Sequence, residues 1–521
     1  MSQSTHWADI YADKIIREKG EKDVYTCASG ITPSGTVHIG NFREIISVEL
    51  VVRALRQKGK NVRFIYSWDD YDVFRKVPKN MPNPELLATY LRKPITSVPD
   101  TTGRSANYAR GHEEDVERVL PLVGMFPEYI YQAERYQHSV YAEAMKTALE
   151  HKDEIRAILD EFRTEDLDDS WWPISVFSTF TGKDTTTILG WDGGYLVTYR
   201  DDETNQEETI DLRTTSVAKL PWRLDWPMRW VYDGVDFEPA GKDHHSEGGS
   251  FDTSRKMVKV FGGEAPVSFQ YDFISIKGRG GKISSSSGEV ISLADVLEVY
   301  TPEVTRYLFA STRPNSEFAI SFDLDVLKIY EDYDTCERIY FGLQDANEKR
   351  KAKESRIYEL SQVGDVPAEP GYQIPFRHLC NLLQLHEGDI DRALASLTDI
   401  TDSQLQRLKS RAECAWMWIT TFSPEDFRYR LMKESDPKVE IEGAELKAIH
   451  ALRDVVQVME SLDDKEYTTR LYDAAKDQGL ETGEFFKLVY LILIGRSHGP
   501  KLASFLQTIG QEKALEILSR Y

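Results

Sequence analysis

Val24-Tyr25-Thr26-Cys27-Ala28-Ser29-Gly30-Ile31-Thr32-Pro33-Ser34-Gly35-Thr36-Val37-His38-Ile39-Gly40-Asn41 runs, in one stretch, through a short apolar segment, a turn-rich loop and the opening of a helix. Val24 to Ser29 is a strand candidate. Gly30 to Gly35 carries two glycines and a proline, the residues that punctuate regular structure. Downstream, Phe42, Ile45, Ile46 and Val52 recur near helical spacing, which predicts a helix from about His38 to Gln57, ended by Gly59. Val62 to Trp68 reads as a second buried strand. Strand, helix and strand at this length form a parallel crossover, and such sheets bind ligands beyond the carboxyl ends of their strands. Attention therefore falls on the loop from Gly30 to Asn41 and on Asp69-Asp70-Tyr71-Asp72.

The first loop suits a triphosphate. A helix amino terminus offers N–H donors and a partial positive charge, His38 can donate to a phosphate oxygen, and Gly40 lets the backbone approach a flat base closely. Taken alone, the pattern is equally the frame of a tight turn. A second candidate is Lys277-Gly278-Arg279-Gly280-Gly281-Lys282-Ile283-Ser284-Ser285-Ser286-Ser287-Gly288, cationic and rich in donors, as needed to fold over a polyphosphate. Alone it reads as a surface linker.

Length and composition bound the rest. With 521 residues, 41% of them apolar, two to four packed domains are expected. The amino terminus lacks an apolar segment, and the greasiest run, Phe485 to Ile494, is interrupted by Lys487 and too short to span a bilayer, so no membrane role is expected. Cys27, Cys336, Cys380 and Cys414 lie far apart with no CxxC pair, which fits a reducing cytoplasm and gives no cysteine zinc site. The net charge of −22 disfavours nucleic acid on average. Yet Arg255, Lys256, Lys259, Lys277, Arg279 and Lys282 crowd a segment with only two acids, Glu264 and Asp272, which allows a local basic face.

Tyr131 to Arg163 is predicted helical, Trp191 to Asp211 a turn-rich insertion with a strand at Tyr195 to Tyr199, and Val267 to Ile276 a strand. Thr301-Pro302 sets a capping hydroxyl before a proline, so a helix should begin there. From about residue 325 amphipathic helical patterns run to Tyr521.

In this order and at this separation, the two loops resemble the HIGH and KMSKS signatures of class I aminoacyl-tRNA synthetases. The strings Ser29 to Asn41 and Gly280-Gly281-Lys282-Ile283-Ser284-Ser285-Ser286 resemble the class I lysyl-tRNA synthetase family in particular. The resemblance implies an α/β fold: a Rossmann-like nucleotide-binding parallel sheet with an inserted domain and a C-terminal all-α domain. Its expected divisions are 1–110 and 213–325 for the two catalytic halves, 111–212 for an acceptor-end insertion, and 326–521 for anticodon binding. It implies a monomer that takes ATP with Mg2+, L-lysine and tRNA(Lys). His38, Asn41, Lys282, Ser284 and Ser285 would be catalytic. Thr32, Pro33, His38, Gly40, Asn41, Gly241, Asp243 and Lys282 would bind ATP, and Gly30, Thr32, Asp70, Trp222, His244 and Tyr271 would bind lysine, Asp70 as an ammonium partner. In the usual KMSKS pattern a second lysine stands where this chain has Ser285, so Lys277 or Arg279 would supply that charge.

Many members of the family carry a cysteine zinc knuckle in the insertion, where this chain has Val176-Phe177-Ser178-Thr179-Phe180-Thr181 and Tyr199-Arg200-Asp201-Asp202-Glu203. Without thiolates no structural zinc is expected there. A glutamate or arginine specificity of the same class and a non-catalytic tRNA-binding paralogue are the alternatives. Glutamate would demand an arginine clamp.

Overall fold

A computed structural model describes residues 6–277 and 290–521. The chain divides into two compact units, the first made of residues 1–321 and 335–368 and the second of 322–334 and 369–521.

The first unit is built on a four-stranded sheet whose paired strands all run parallel. Strand β1 (Tyr25–Ile31) lies at the centre beside β2 (Val62–Trp68), with β3 (Glu128–Tyr131) outside β2 and Val235–Phe237 on the other edge. Helix α1 (Trp7–Lys19) precedes β1, and helix α2 (Ile39–Gln57) crosses from β1 to β2. The expected strand, helix, strand unit is therefore present, with Gly59 at φ +77° leaving the helix end. Helix α2 differs from an amphipathic surface helix in one respect: 13 of its 19 residues are buried, around nearly its whole circumference. Even its charges lie inside, where Glu49 meets the fully buried Arg306 at 2.6 Å and Arg43 donates to the carbonyls of Asp272, Phe273, Arg313 and Ser316.

Between β3 and the strand Val235–Phe237 the chain makes an excursion. The predicted helical stretch from Tyr131 to Arg163 is three helices, Gln132–Gln137, Ala142–Glu150 and Lys152–Asp160, broken where Ser139 takes a left-handed φ of 56°. The turn-rich insertion is an antiparallel meander of Thr186–Trp191, Leu196–Asp201 and Glu207–Asp211, so the expected strand is its middle member. Tyr71, Tyr136, Tyr141, Val176, Tyr199 and Leu220 share one core beneath it.

Two tight turns, at 178–183 and 201–205, stand where the family's zinc knuckle would fall. Ser178 N donates to Lys183 O at 2.7 Å, Gly182 N to Ser178 O at 2.7 Å, and Asn205 N to Asp201 O at 2.8 Å. The buried Asp201 carboxylate joins them, accepting from Thr181 Oγ1 at 2.8 Å and from the N–H groups of Glu203 and Thr204 at 2.8 and 3.0 Å. Burial alone would raise its pKa. The Ser178 hydroxyl and these donors outweigh burial and bring it to about 2.

The single strand expected over Val267 to Ile276 is instead two, Gln270–Tyr271 against Ala240–Gly241 and Ile274–Ile276 against Phe318–Ile320. The break falls at Asp272 and Phe273, whose carbonyls are taken by the Arg43 guanidinium at 2.8 and 3.1 Å, so no ladder can continue through them. The helix Pro302–Ala310 opens as predicted, with Thr301 Oγ1 accepting from Val304 N.

The second unit is all helical among its described residues beyond 369. Its long helices are Asp402–Thr421, Gly443–Gln457, Asp464–Lys476 and Thr482–Ile494. Thr401 and Gln404 form a reciprocal capping box at the start of the first of these. The last three, with Leu502–Ile509 and Gln511–Leu518, close around Ile449, Leu452, Tyr467, Phe485, Val489, Leu493 and Phe505. Among the described residues no helix is long and apolar enough to cross a membrane. All four cysteines are buried, and among the described residues none is joined in a disulfide.

Candidate active site

The carboxyl ends of β1 and β2 open into a cavity of about 950 Å³ in the first unit. The β1–α2 turn supplies Gly30, Thr32, Ser34, His38, Gly40 and Asn41, and α2 adds Glu44 one turn on. Tyr66, Asp69 and Asp72 come from β2 and its following loop, and Lys219, Trp222, Gly241, Asp243, His244 and Tyr271 close the far wall.

Two glycines are demanded by close approach. A Cβ on Gly30 would lie 2.8 Å from Ser67 O on the neighbouring strand, and one on Gly40 would lie 2.8 Å from His38 Nδ1. The His38 ring thus folds over Gly40 at the helix tip. Asn41 Oδ1 accepts from His38 N at 3.2 Å, and Ile39 N donates to Ile291 O at 2.8 Å. The first turn of α2 therefore spends some of its donors within the protein. The second of those bonds also ties the chain that follows the serine-rich loop to the helix tip. Lys282, Ser284 and Ser285 of that loop lie outside the described residues.

Of the other expected residues, Gly30, Thr32, His38, Gly40, Asn41, Trp222, Gly241, Asp243, His244 and Tyr271 line the cavity together. Trp222 stacks on Trp226 at 5.1 Å and 15°, and His244 Nδ1 lies 2.6 Å from Ser250 Oγ. Pro33 is buried beneath the turn that Ser34 N closes on Thr32 O at 2.8 Å and is not part of the cavity wall.

Asp70 does not reach the cavity. It is buried, and its Oδ1 accepts from Ala133 N at 2.7 Å, capping the helix Gln132–Gln137. Burial raises its pKa to about 8, but it is position that rules it out as an ammonium partner here: its carboxyl is spent on a helix end and does not line the cavity. Its neighbours do face the cavity. Asp69 pairs with Arg229 at 2.6 Å, while Asp72 accepts from Lys219 at 2.6 Å and from Thr32 Oγ1 at 3.1 Å. Burial also raises Asp69, despite Arg229.

Sequence reasoning missed Glu44. It accepts from Ser29 Oγ at 2.8 Å, from Gly30 N at 3.1 Å and from the Tyr271 hydroxyl. Burial raises its pKa, those donors opposing the shift. The signal was available: Glu44 stands three residues after Asn41, on the face of α2 that carries the motif. Lys219, paired to Asp72, had no such signal.

The carboxylate-rich cavity under a histidine-bearing helix tip can receive a cation and a polyphosphate side by side. A family model described as tRNA synthetases class I (K) matches residues 5–364, and a model described as an anticodon binding domain matches residues 380–521. A lysine--tRNA ligase of Borreliella burgdorferi is 55% identical over 100% of both chains. That of Treponema pallidum is 52% identical over 100% of this chain and 99% of its own, and that of Thermococcus kodakarensis 40% identical over 98% and 99%. Parallel sheet, two-loop signature and end-to-end likeness agree: the chain belongs to the class I tRNA synthetase family of the lysine (K) type.

Proposed function

We propose that the chain is a lysine--tRNA ligase that activates L-lysine with ATP and transfers it to tRNA(Lys). Supporting lysine over its rivals is the acidic cavity wall. Glu44, Asp69 and Asp72 stand there; Arg229 is paired with Asp69 and Asp225 and is not on the wall, and the guanidinium that does line the cavity, Arg75, is an exposed one from the loop after β2. A glutamate substrate would need a free guanidinium in that place. Glu44 is the ammonium partner in this reading: a half-buried carboxylate whose charge desolvation makes costly regains it beside a cation. Trp222 and Tyr271 pack on the methylene stem, with Gly30, Thr32 and His244 around the amino-acid head.

The substrates bring both nucleophiles. A lysine carboxylate oxygen attacks the α-phosphorus, the bond to the bridging oxygen breaks, and pyrophosphate leaves with the Mg2+ that entered with ATP. The 2′-hydroxyl of the terminal adenosine then attacks the lysyl carbonyl, and AMP leaves. The protein's share is positioning and charge stabilisation: His38 and Asn41 at the phosphates, Thr32, Pro33 and Gly40 shaping the ATP site, Gly241 and Asp243 at the ribose, and Lys282, Ser284 and Ser285 on the pyrophosphate side. Four buried thiols outside any disulfide suit a reducing cytoplasm. A monomer is the assembly in this reading, checked by mass in solution.

Charging of total tRNA with labelled lysine, glutamate or arginine tests the assignment. Lysine alone should be esterified; esterification of glutamate or arginine in its place would overturn it.

A further inference from the structure

Among the described residues six carboxylates line the cavity: Glu44, Asp69, Asp72, Asp184, Asp243 and Asp272. Four of them are already matched by a cation of the protein itself, Asp69 by Arg229 at 2.6 Å, Asp72 by Lys219 at 2.6 Å, Asp184 by Arg92 at 2.7 Å and Asp272 by Lys242 at 3.0 Å. Asp243 is the one assigned to the ribose above. Glu44 differs. Its partners, Ser29 Oγ, Gly30 N and the Tyr271 hydroxyl, are neutral donors, and among the described residues no lysine or arginine pairs with it. We propose that Lys219 is a specificity-determining residue of the lysine site: its ammonium occupies Asp72 as an internal counter-ion, so that the substrate's ammonium is directed to Glu44; the inference rests on the aminoacylation reading above.

The surroundings hold Lys219 to that task. It ends the strand Ala218–Lys219, which pairs antiparallel with Ser175–Val176, and only 7% of it is exposed. Its Nζ donates to Asp72 Oδ1 and, at 3.1 Å, to the carbonyl of Tyr71, whose hydroxyl in turn donates to Ser216 O. The second oxygen of Asp72 accepts from Thr32 Oγ1 at 3.1 Å, so each oxygen has a donor from the protein. Asp69, Asp225 and Arg229 are the other charges about the pair, and the Tyr136 ring centre lies 5.9 Å from the ammonium. Burial alone would lower an ammonium and raise a carboxylate. Here pairing outweighs burial in both partners: Asp72 above all holds Lys219 above its ordinary value, and Lys219 holds Asp72 below its own. Both are therefore charged at neutral pH.

A partly buried carboxylate stripped of its counter-ion is a strong seat for another cation. Without Lys219 the wall would offer lysine a second seat, at the end of a different strand from the one Glu44 adjoins. Lysine held there has its carboxylate displaced from the α-phosphorus and is bound without reacting. Such idle binding lowers kcat and KM by one common factor and leaves kcat/KM as it was, because the free enzyme and the productive transition state are untouched. Lys219 blocks that mode by filling it, which is selectivity gained by closing an alternative.

The test measures lysine-dependent pyrophosphate exchange, with tRNA present, in full-length Lys219→Met, Asp72→Asn and the double variant. In Lys219→Met, kcat and KM for lysine should fall together, by about tenfold, with kcat/KM kept. In Asp72→Asn the stranded ammonium of Lys219 repels the substrate, so KM should bear the loss and rise about tenfold. The double variant carries neither charge and should lie nearer wild type in both parameters than either single variant. KM moving the same way in both single variants, kcat/KM falling in Lys219→Met, or losses that simply add in the double variant would each overturn the assignment. If Lys219→Met fails to fold, the other two variants decide: KM should be lower in the double variant than in Asp72→Asn, and an equal or higher KM overturns the assignment. Wild-type protein that gives no exchange with lysine would instead overturn the aminoacylation reading itself.

Discussion

Glu44 and Asp70 illustrate what single residues disclose. An aspartate following a strand end is a fair suspect from sequence, yet in Asp69-Asp70-Tyr71-Asp72 only the first and third carboxylates face the cavity, while Asp70 caps a helix. That choice depends on where the helix Gln132–Gln137 comes to rest, some sixty residues on, which no local pattern encodes. Glu44→Gln removes the charge and keeps the shape, so kcat/KM for lysine should fall by about a hundredfold or more while KM for ATP changes little. Because burial raises the Glu44 pKa, protonation sets in above the usual carboxylate range. Lysine affinity should therefore decline on acidification earlier than a solvent-exposed carboxylate would dictate, and calorimetric titration of Glu44→Gln should show that step absent. Gly40→Ala would place its Cβ against the His38 ring, so activation should slow by one to two orders of magnitude (about 1.4–3 kcal/mol) in single-turnover kinetics, with lysine binding preserved.

Elements were legible where local pattern and packing agree. The crossover of β1, α2 and β2 follows from apolar runs, glycines and spacing, and the Thr301-Pro302 helix start from capping chemistry alone. The strand over Val267 to Ile276 failed because a distant arginine, Arg43, claims two of its carbonyls. Its guanidinium is buried in carbonyls on both sides of the serine-rich loop, so Arg43→Ala should destabilise the whole first unit. The insertion makes a sharper prediction. Asp201 does by hydrogen bonding what a tetrahedral metal would do for the same two turns. Elemental analysis of the purified protein should return no stoichiometric zinc, and one ion per chain would contradict this. Asp201→Ala should lower the thermal midpoint by a few degrees. Because the folded pKa is depressed to about 2, against about 3.9 in an unfolded chain, wild type keeps this advantage above about pH 4 and loses it progressively toward pH 2.

For the molecule as a whole, composition set the class but not the path. Fading strand signals mark the helical end, yet nothing in the sequence shows that the chain joins the second unit at 322–334, returns to the first for 335–368 and leaves again at 369. Nor does a charge of −22 reveal that cations gather beside the cavity. Contacts of local cations with phosphate, and not that average, would govern association with tRNA. Raising salt should weaken tRNA binding steeply, linearly in log–log form, while lysine affinity, set by buried groups, moves far less.

The central claim is that a carboxylate-lined cavity under a histidine-bearing helix tip activates lysine. Amino-acid-dependent exchange of pyrophosphate into ATP, run with tRNA present and each amino acid in turn, tests it most directly. Lysine alone should support exchange, and His38→Ala should abolish most of it. Exchange driven by glutamate or arginine, or undiminished in His38→Ala, would contradict the account.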